Sequence, residues 1–509
     1  MILIGIDIGT GSTKAVAIDS TGTVLDSSQI HYSTISGEGG ISEQDPELVW
    51  NAFIQSVATL VRQLSAPPAA ISLSSAMHSL IPVSNEGIPL SNMMTWADGR
   101  SATVATRLRN AKVGKALYEE TGTPLHAMSP LCKIIWLREN HHAIFEGAAK
   151  FVSIKEYIWY KLFGVWEVDY SIASATGLFN IHTLIWHEQA LAEAGISESR
   201  LSHPVNTTTF RNDINKSVAN RMRVSQKMQV MIGASDGCHA NVGSFATEPG
   251  IAALTIGTSG AIRVTRETPA VNWEHMTFNY RLTDKYFVSG GPINNGGVAL
   301  KWYAQNLLKR PLESMTAYAE LLSALSNVPA GSDGLFFLPY ILGERAPIWN
   351  SSACGVFFGI TAQHQQEHFT KAVIEGILFS LYQIMKGIEA DGVKIKQIHV
   401  SGGFVNSREW VQLLATIFGK KVVLVNHDDA SAIGAAFLAF DAMGIEGDYN
   451  KFAEQESVSF EPDLNVHQLY TTKYFPIYEH LYRSLTVDMQ ILHDMKTDKQ
   501  ISTESNLIN

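Results

Sequence analysis

Ile4, Ile6 and Ile8 recur at every second position near the start of the chain, and Val16 and Ile18 resume that period beyond a glycine-rich stretch. Alternation on both sides of TGST predicts a β-hairpin, ILIGIDIG then KAVAID. The segment LTIGTSGAIRV, Leu254 to Val264, repeats the pattern. Placing Ile8 on Ile256 sets Gly9 on Gly257, Thr10 on Thr258 and Val16 on Val264. This offset is about half the chain, far beyond the roughly 20 to 50 residues of a solenoid repeat, so it predicts two related domains built as βββαβα-type units. The turn-forming cluster Thr247-Glu248-Pro249-Gly250 marks a boundary, which gives domains 1–245 and 246–509 with a cleft between them.

Helices follow their start signals. Asp45-Pro46-Glu47 supplies a cap, a proline at the first helical position and an early carboxylate, and Val49, Phe53, Val57, Leu60 and Leu64 continue at helical spacing. Ser129-Pro130 opens another helix, with Leu131, Ile134 and Ile135 on one face. Asp429 precedes a helix of small residues, Ser431, Ala432, Gly434, Ala435 and Ala436, suited to close backbone approach. Strands alternating with helices give an α/β class. The polar stretch from about Met495 is expected to fray.

Composition narrows the function classes. Of 509 residues, 46% are hydrophobic and 17% charged, which excludes disorder as the dominant state. The net charge is −10 and no basic run occurs, so neither nucleic acid nor an anionic membrane is an expected partner. Apolar stretches such as Ala435 to Phe440 stop short of the roughly 18 residues that span a membrane. The start Met1 to Ile6 has no basic region before it and does not read as a signal peptide, so a cytoplasmic location is expected. Cys132, Cys238 and Cys354 are too far apart for a metal knuckle and read as buried thiols.

Gly9-Thr10-Gly11-Ser12-Thr13-Lys14 brings backbone N–H groups, three hydroxyls and an ammonium together, a set suited to a polyphosphate. The spacing fits neither a P-loop nor a dinucleotide fingerprint. Asp7, just before the turn, could hold Mg2+ through water beside the phosphates. Taken alone, the segment reads equally well as an ordinary tight hairpin; its recurrence half a chain later favours phosphate. Thr255 stands where the second copy would carry Asp7, so only the first half offers the metal ligand.

Longer strings carry a resemblance. MSPLCKIIWLREN (Met128 to Asn140, with Lys133 and Trp136) and GVFFGITAQHQQEHFTKAVIEG (Gly355 to Gly376) resemble the two signatures of the FGGY family of carbohydrate kinases, from Met1 to about residue 445. SSAMHSL, TWADGRS and DYSIASATGLFNI are most similar to the gluconate kinase branch. The resemblance implies two duplicated actin-like ATPase (ribonuclease H-like) domains that close over ATP and a small sugar acid, and it leaves open a homodimer.

It further implies roles for single residues. Asp236 in IGASDGCHANVGS becomes the proton acceptor; by itself it reads as well as a helix cap, at a helix N-terminus that would keep it ionised. ATP contacts carry over to Thr10, Gly11, Ser12, Thr13 and Lys14, to Gly257 and Thr258, to Gly297 in GPINNGG, and to Gly402, Gly403 and Asn406 in SGGFVNS, the last three flanking the adenosine. Met77, His78, Trp96, Asp98 and Arg100 fall on the sugar side, where the planar fork of Arg100 suits a carboxylate. His78 also reads as a core histidine, and Asp98 with Arg100 as a surface ion pair. Arg345 in LGERAPIW is a second cation, although Ala346 and Trp349-Asn350 depart from the common family pattern of Thr after Glu-Arg and an acid further on.

The activity so implied is transfer of phosphate from ATP to the terminal hydroxyl of D-gluconate. A ketopentose kinase such as xylulokinase shares the Met-His and Asp-x-Arg elements, and an actin-like ATPase without a sugar substrate shares the fold.

Overall fold

The computed structural model describes residues 1–312, 314–425, 429–445 and 458–505. They form two compact units. The first comprises Met1–Pro249, Arg263–Ser289 and the described part of His427–Glu456; the second comprises Gly250–Ile262, the described part of Gly290–Asn426, and the described part of Ser457–Asn509.

Two mixed sheets organise the chain. In the first, β1 (Ile2–Ile8), β2 (Ser12–Asp19) and β3 (Val24–His31) form an antiparallel meander. On the other side of β1 lie β4 (Ala70–Ser75) and then, beyond β5 (Phe210–Arg211) in sequence, β6 (Gln229–Met231), both parallel to it, and β5 closes the edge antiparallel. The spatial order is β5-β6-β4-β1-β2-β3.

The second sheet repeats this plan. Its strands are β7 (Ile251–Ile256), β8 (Gly260–Arg266), β9 (Phe287–Ile293), β10 (Gln397–Ser401), β11 (Lys421–Leu424) and β12 (Ser459–Phe460), in the order β9-β8-β7-β10-β11-β12, with the short strand Phe278–Arg281 beyond β9. β7, β10 and β11 run parallel and β12 antiparallel. The equivalence extends to register: Asp7 faces Ser74 across β1 and β4, and Thr255 faces Ser401 across β7 and β10.

Helix α1 (Pro46–Gln63) starts where Asp45 accepts a hydrogen bond from the Glu47 N–H at 2.8 Å. Its Val49, Phe53, Val57 and Leu60 are buried with Ile4, Ile6, Ile8, Ala15 and Ala17 of the sheet. The alternation that sends Ile4, Ile6 and Ile8 to α1 turns Gly5 and Asp7 to the opposite face. There the helix Ala430–Ala442 lies so close that a Cβ on Gly5 would stand 1.8 Å from the Ala432 oxygen. The same helix meets α4 (Asp236–Gly243) backbone to backbone: a Cβ on Gly243 would be 2.0 Å from the Ala430 oxygen, and one on Gly434 2.0 Å from the His239 oxygen. Two further helices of this unit are α2 (Pro130–Asn140), which carries the buried Lys133, and α3 (Ile154–Phe163), which opens on a capping box.

The second unit adds α5 (Gly297–Trp302), the long α6 (Gln366–Ala390) and α7 (Arg408–Phe418). Two sequence expectations change. The tail beyond Met495 is helical to Ser505, within a helix that begins at Phe475 and meets neither Pro nor Gly after Pro476. Cys132 and Cys238 are buried, but Cys354 is partly exposed, in the irregular stretch before the short strand Val356–Phe358. Among the described residues no helix is long and apolar enough to cross a membrane.

Candidate active site

The first turn is a tight closure in which Gly9 N–H donates to the Ser12 oxygen at 3.0 Å. It is held from outside: the Tyr32 hydroxyl donates to the Gly9 oxygen at 2.5 Å, Gln44 donates to the Thr10 oxygen, and Gln29 donates to Ser12 Oγ at 2.8 Å. Thr13 is fully buried, its hydroxyl 3.3 Å from that of Tyr32, so it supports the turn from below. Gly11 faces open space, which leaves the outer side of the turn accessible.

Charged groups gather below this turn on the face of β1 shared by Gly5 and Asp7. Burial, reinforced by Asp236 and Asp429, pushes the Asp7 carboxyl up to about 7. Its Oδ1 is buried and makes no hydrogen bond. Lys14, opposite Asp7 in the hairpin register, forms an ion pair with Asp429, the residue before the Ala430–Ala442 helix. Asp236 is the first residue of α4, behind the cap Ser235, and its Oδ1 accepts from Gly237 N–H at 2.7 Å. Asp429 had shown in the sequence only as a helix-starting acid. The close seating of Gly243 and Gly434 brings it here.

The sugar-side residues of the sequence analysis also come together in this unit. Trp96 Nε1–H donates to Thr10 Oγ1 at 2.9 Å, which joins them to the first turn. Met77 Cε lies 3.1 Å from where a Cβ on Gly237 would be, next to Asp236. His78 is buried with φ 64°, its Nδ1 2.8 Å from the Ala175 oxygen and its Nε2 3.1 Å from the Tyr280 hydroxyl. Both ring nitrogens are engaged, as in the core-histidine alternative.

Asp98 and Arg100 do pair with each other, but not on the surface: Asp98 is 1% exposed. Arg100 Nη2 donates to Asp98 Oδ2 at 2.7 Å and to Glu43 Oε1 at 2.5 Å, its Nε lies 3.0 Å from Asp98 Oδ1, and the guanidinium stacks 4.8 Å from the Trp136 ring centre. The fork expected to meet a substrate carboxylate is thus occupied by two carboxylates of the protein. Glu43 gave no signal in the sequence, being one of three acids, with Asp45 and Glu47, in a short polar run.

In the second unit, the turn after β7 repeats the closure, Gly257 N–H donating to the Ser259 oxygen at 2.9 Å. The start of α5 docks on it: Gly297 N–H donates to the Gly257 oxygen at 2.7 Å and Val298 N–H to the Thr258 oxygen at 3.1 Å. A Cβ on Gly297 would be 2.8 Å from the Gly257 oxygen. Gly257, Thr258, Gly297, Gly403 and Asn406 line one cavity of 340 Å³, whose other walls include Tyr318, Leu322, Phe404 and Trp410. An apolar cavity of this size with a glycine-rich polar mouth suits a nucleoside. Gly402, at φ 101°, backs onto the Ile256 oxygen and shapes the loop from behind. Arg345 is not on that wall: its Nε donates to Asn294 Oδ1 at 2.7 Å and its Nη2 to the Ile293 oxygen at 3.1 Å.

Among the described residues no three His, Cys, Asp or Glu side chains are close enough to hold a metal ion by themselves. The orphaned Asp7 oxygen fits a cation held jointly with phosphate oxygens and water.

Comparison with known proteins gives the family of the chain. The N-terminal domain of the FGGY family of carbohydrate kinases matches residues 2–243, and its C-terminal domain matches residues 252–443. A gluconokinase of Bacillus licheniformis is 40% identical over 449 residues, 87% of this chain and 88% of that protein. The crystal structure of a gluconate kinase from Lactobacillus acidophilus superposes with a TM-score of 0.91 at 32% identity, covering 96% of this chain and 99% of the other. A ligand-bound xylulose kinase from the same organism gives 0.90 at 32% identity and the same coverage. These matches replace the reading of an ATPase without a sugar substrate: the chain has the actin-like ATPase fold and belongs to the FGGY family of carbohydrate kinases, ATP-dependent phosphotransferases.

Proposed function

We propose that this kinase transfers the γ-phosphoryl group of ATP to the terminal hydroxyl of D-gluconate, giving 6-phospho-D-gluconate, in the cytoplasm. The observation that carries the reading is the gathering of Asp7, Asp236 and Lys14 below the Gly9–Lys14 turn, beside Met77, in a chain 40% identical to a gluconokinase. Residues 1–245 supply the acceptor site, the first phosphate turn and the base; residues 246–509 supply the nucleotide site.

Asp236 accepts the proton of the attacking hydroxyl. Thr10, Gly11, Ser12 and Lys14 take phosphate oxygens, and Lys14 offsets charge that develops on the transferred group. Asp7 would hold Mg2+ through water, where the ion neutralises phosphate oxygens. Gly257, Thr258, Gly297, Gly403 and Asn406 receive the nucleotide, with Gly402 behind them. Met77, His78, Trp96 and the Asp98–Arg100 pair wall the acceptor, and Arg345 braces the loop before α5.

A coupled ADP-release assay with D-gluconate and D-xylulose tests the substrate. Gluconate is expected to give the larger kcat/KM; the reverse order would make the protein a ketopentose kinase, the reading favoured by the similarity to xylulose kinase. Asp236→Ala should lower kcat by roughly 10²- to 10⁴-fold with ATP binding retained, and a near-native rate would remove Asp236 as the base.

A further inference from the structure

The alternation of β8 sends Arg263 and Thr265 to one face. That face meets α4, where Asn241 Nδ2 donates to Thr265 Oγ1 at 2.7 Å. Two residues back along the strand and one turn back along the helix cover nearly equal distances, so Arg263 arrives beside Gly237. Its Nε lies 3.4 Å from where a Cβ on Gly237 would stand, and Met77 Cε lies 3.1 Å from the same point. Met77 and Arg263 thus close on the side of Gly237 where a side chain would begin, with Asp236 the next residue. Tyr280, bonded to His78, also acts electrostatically on Arg263.

The Arg263 guanidinium makes no hydrogen bond or ion pair among the described residues, and burial works against its charge while Asp236 supports it. A partly buried guanidinium carries five donors, and its desolvation is offset only when they find acceptors. Arg100 and Arg345 differ in this respect: Asp98 and Glu43 occupy the first, Asn294 and the Ile293 oxygen the second.

Resting on the gluconate reading, we infer that Arg263 receives the carboxylate of the sugar acid and so separates acids from neutral polyols and ketoses. The transferred phosphoryl group is the other anion available near Asp236. The neighbours of Arg263, namely Met77 and Tyr280 with its bonded His78, belong to the acceptor side and favour the carboxylate.

The test uses the full-length protein, Arg263→Gln and Arg263→Lys, with D-gluconate and with two neutral acceptors, D-glucitol and D-xylulose. Arg263→Gln should raise the gluconate KM about 50-fold or more, leave kcat/KM for the neutral acceptors and the ATP KM within about twofold, and erase the preference for the acid. Arg263→Lys should recover part of that preference, because charge survives without the fork. ADP binding by calorimetry verifies folding. An unchanged gluconate KM, an equal loss for every acceptor, or a raised ATP KM would overturn the assignment, the last two pointing to the phosphoryl group. A wild-type protein idle on gluconate sinks the proposed function itself, a result distinct from an active wild type indifferent to Arg263→Gln.

Discussion

Lys133 donates from one Nζ to the backbone oxygens of His78 and Thr95, each at 2.6 Å. The lysine is fully buried on α2, and burial pushes its ammonium down to about 7. It therefore acts as a clamp between two acceptor loops, one holding His78 at a positive φ and the other leading into Trp96 and Asp98. Lys133→Met leaves two buried carbonyls without their donor. We expect a stability loss of roughly 2–4 kcal/mol in urea unfolding and a gluconate KM raised by about tenfold, with the ATP KM unmoved.

Gly243 and Gly434 face each other's helices at distances no side chain can share. Alanine at either position must push the Ala430–Ala442 helix away from α4, at a cost of roughly 1–3 kcal/mol. Because both changes open the same contact, the double variant should lose less than the sum. Asp429 and Asp236 ride on the two helices, so kcat should fall along with the melting temperature; a stability loss with intact kcat would show that the seating does not set the charges.

Glu156 on α3 offers a pH-dependent test. Its Oε2 accepts from Ser153 N–H at 2.6 Å, completing a capping box, and burial pushes its carboxyl from 4.5 up to about 7. Between those values the folded chain keeps a proton that the unfolded chain has released. Its contribution to stability therefore falls as pH rises through this window, by on the order of 3 kcal/mol. Glu156→Gln keeps the acceptor and removes the titration. Melting curves should place the variant several degrees above wild type at pH 7.5 and level with it at pH 4.5; parallel curves would contradict the assignment.

Gly403 borders the 340 Å³ cavity proposed for the nucleotide, and a Cβ there meets no atom within 4 Å. Gly403→Val should raise the ATP KM by about tenfold through lost space, leave gluconate binding unchanged and cost little stability. Equilibrium binding of ADP to the two proteins would measure it directly.

How legible these features were follows from how local they are. The hairpins, the Asp45 cap and the small-residue helix are written in adjacent residues, and the half-chain repeat foretold two sheets of one plan. Asp7 and the turn to Lys14 were recognisable because one strand and one turn hold them. Glu43 reaching Arg100, and Arg263 reaching Gly237, depend on which elements the fold brings together, and one of two arginines in a strand does not announce its neighbour. Tyr318 and Leu322 carry no signal in the sequence, since nothing in their spacing separates a cavity wall from a core.

The Ala430–Ala442 helix packs against β1, so the first-made strand of the chain waits for one of its last-made helices. On the ribosome, about 420 residues must follow β1 before the trough over Gly5 and Gly243 receives its cover. Such distant pairing slows folding and keeps bare glycine backbone exposed to solvent meanwhile. A fragment cut at Pro249 would contain nearly every acceptor-side group and still lack the piece that seats them, and a separately made peptide spanning that helix is the natural means of restoring it.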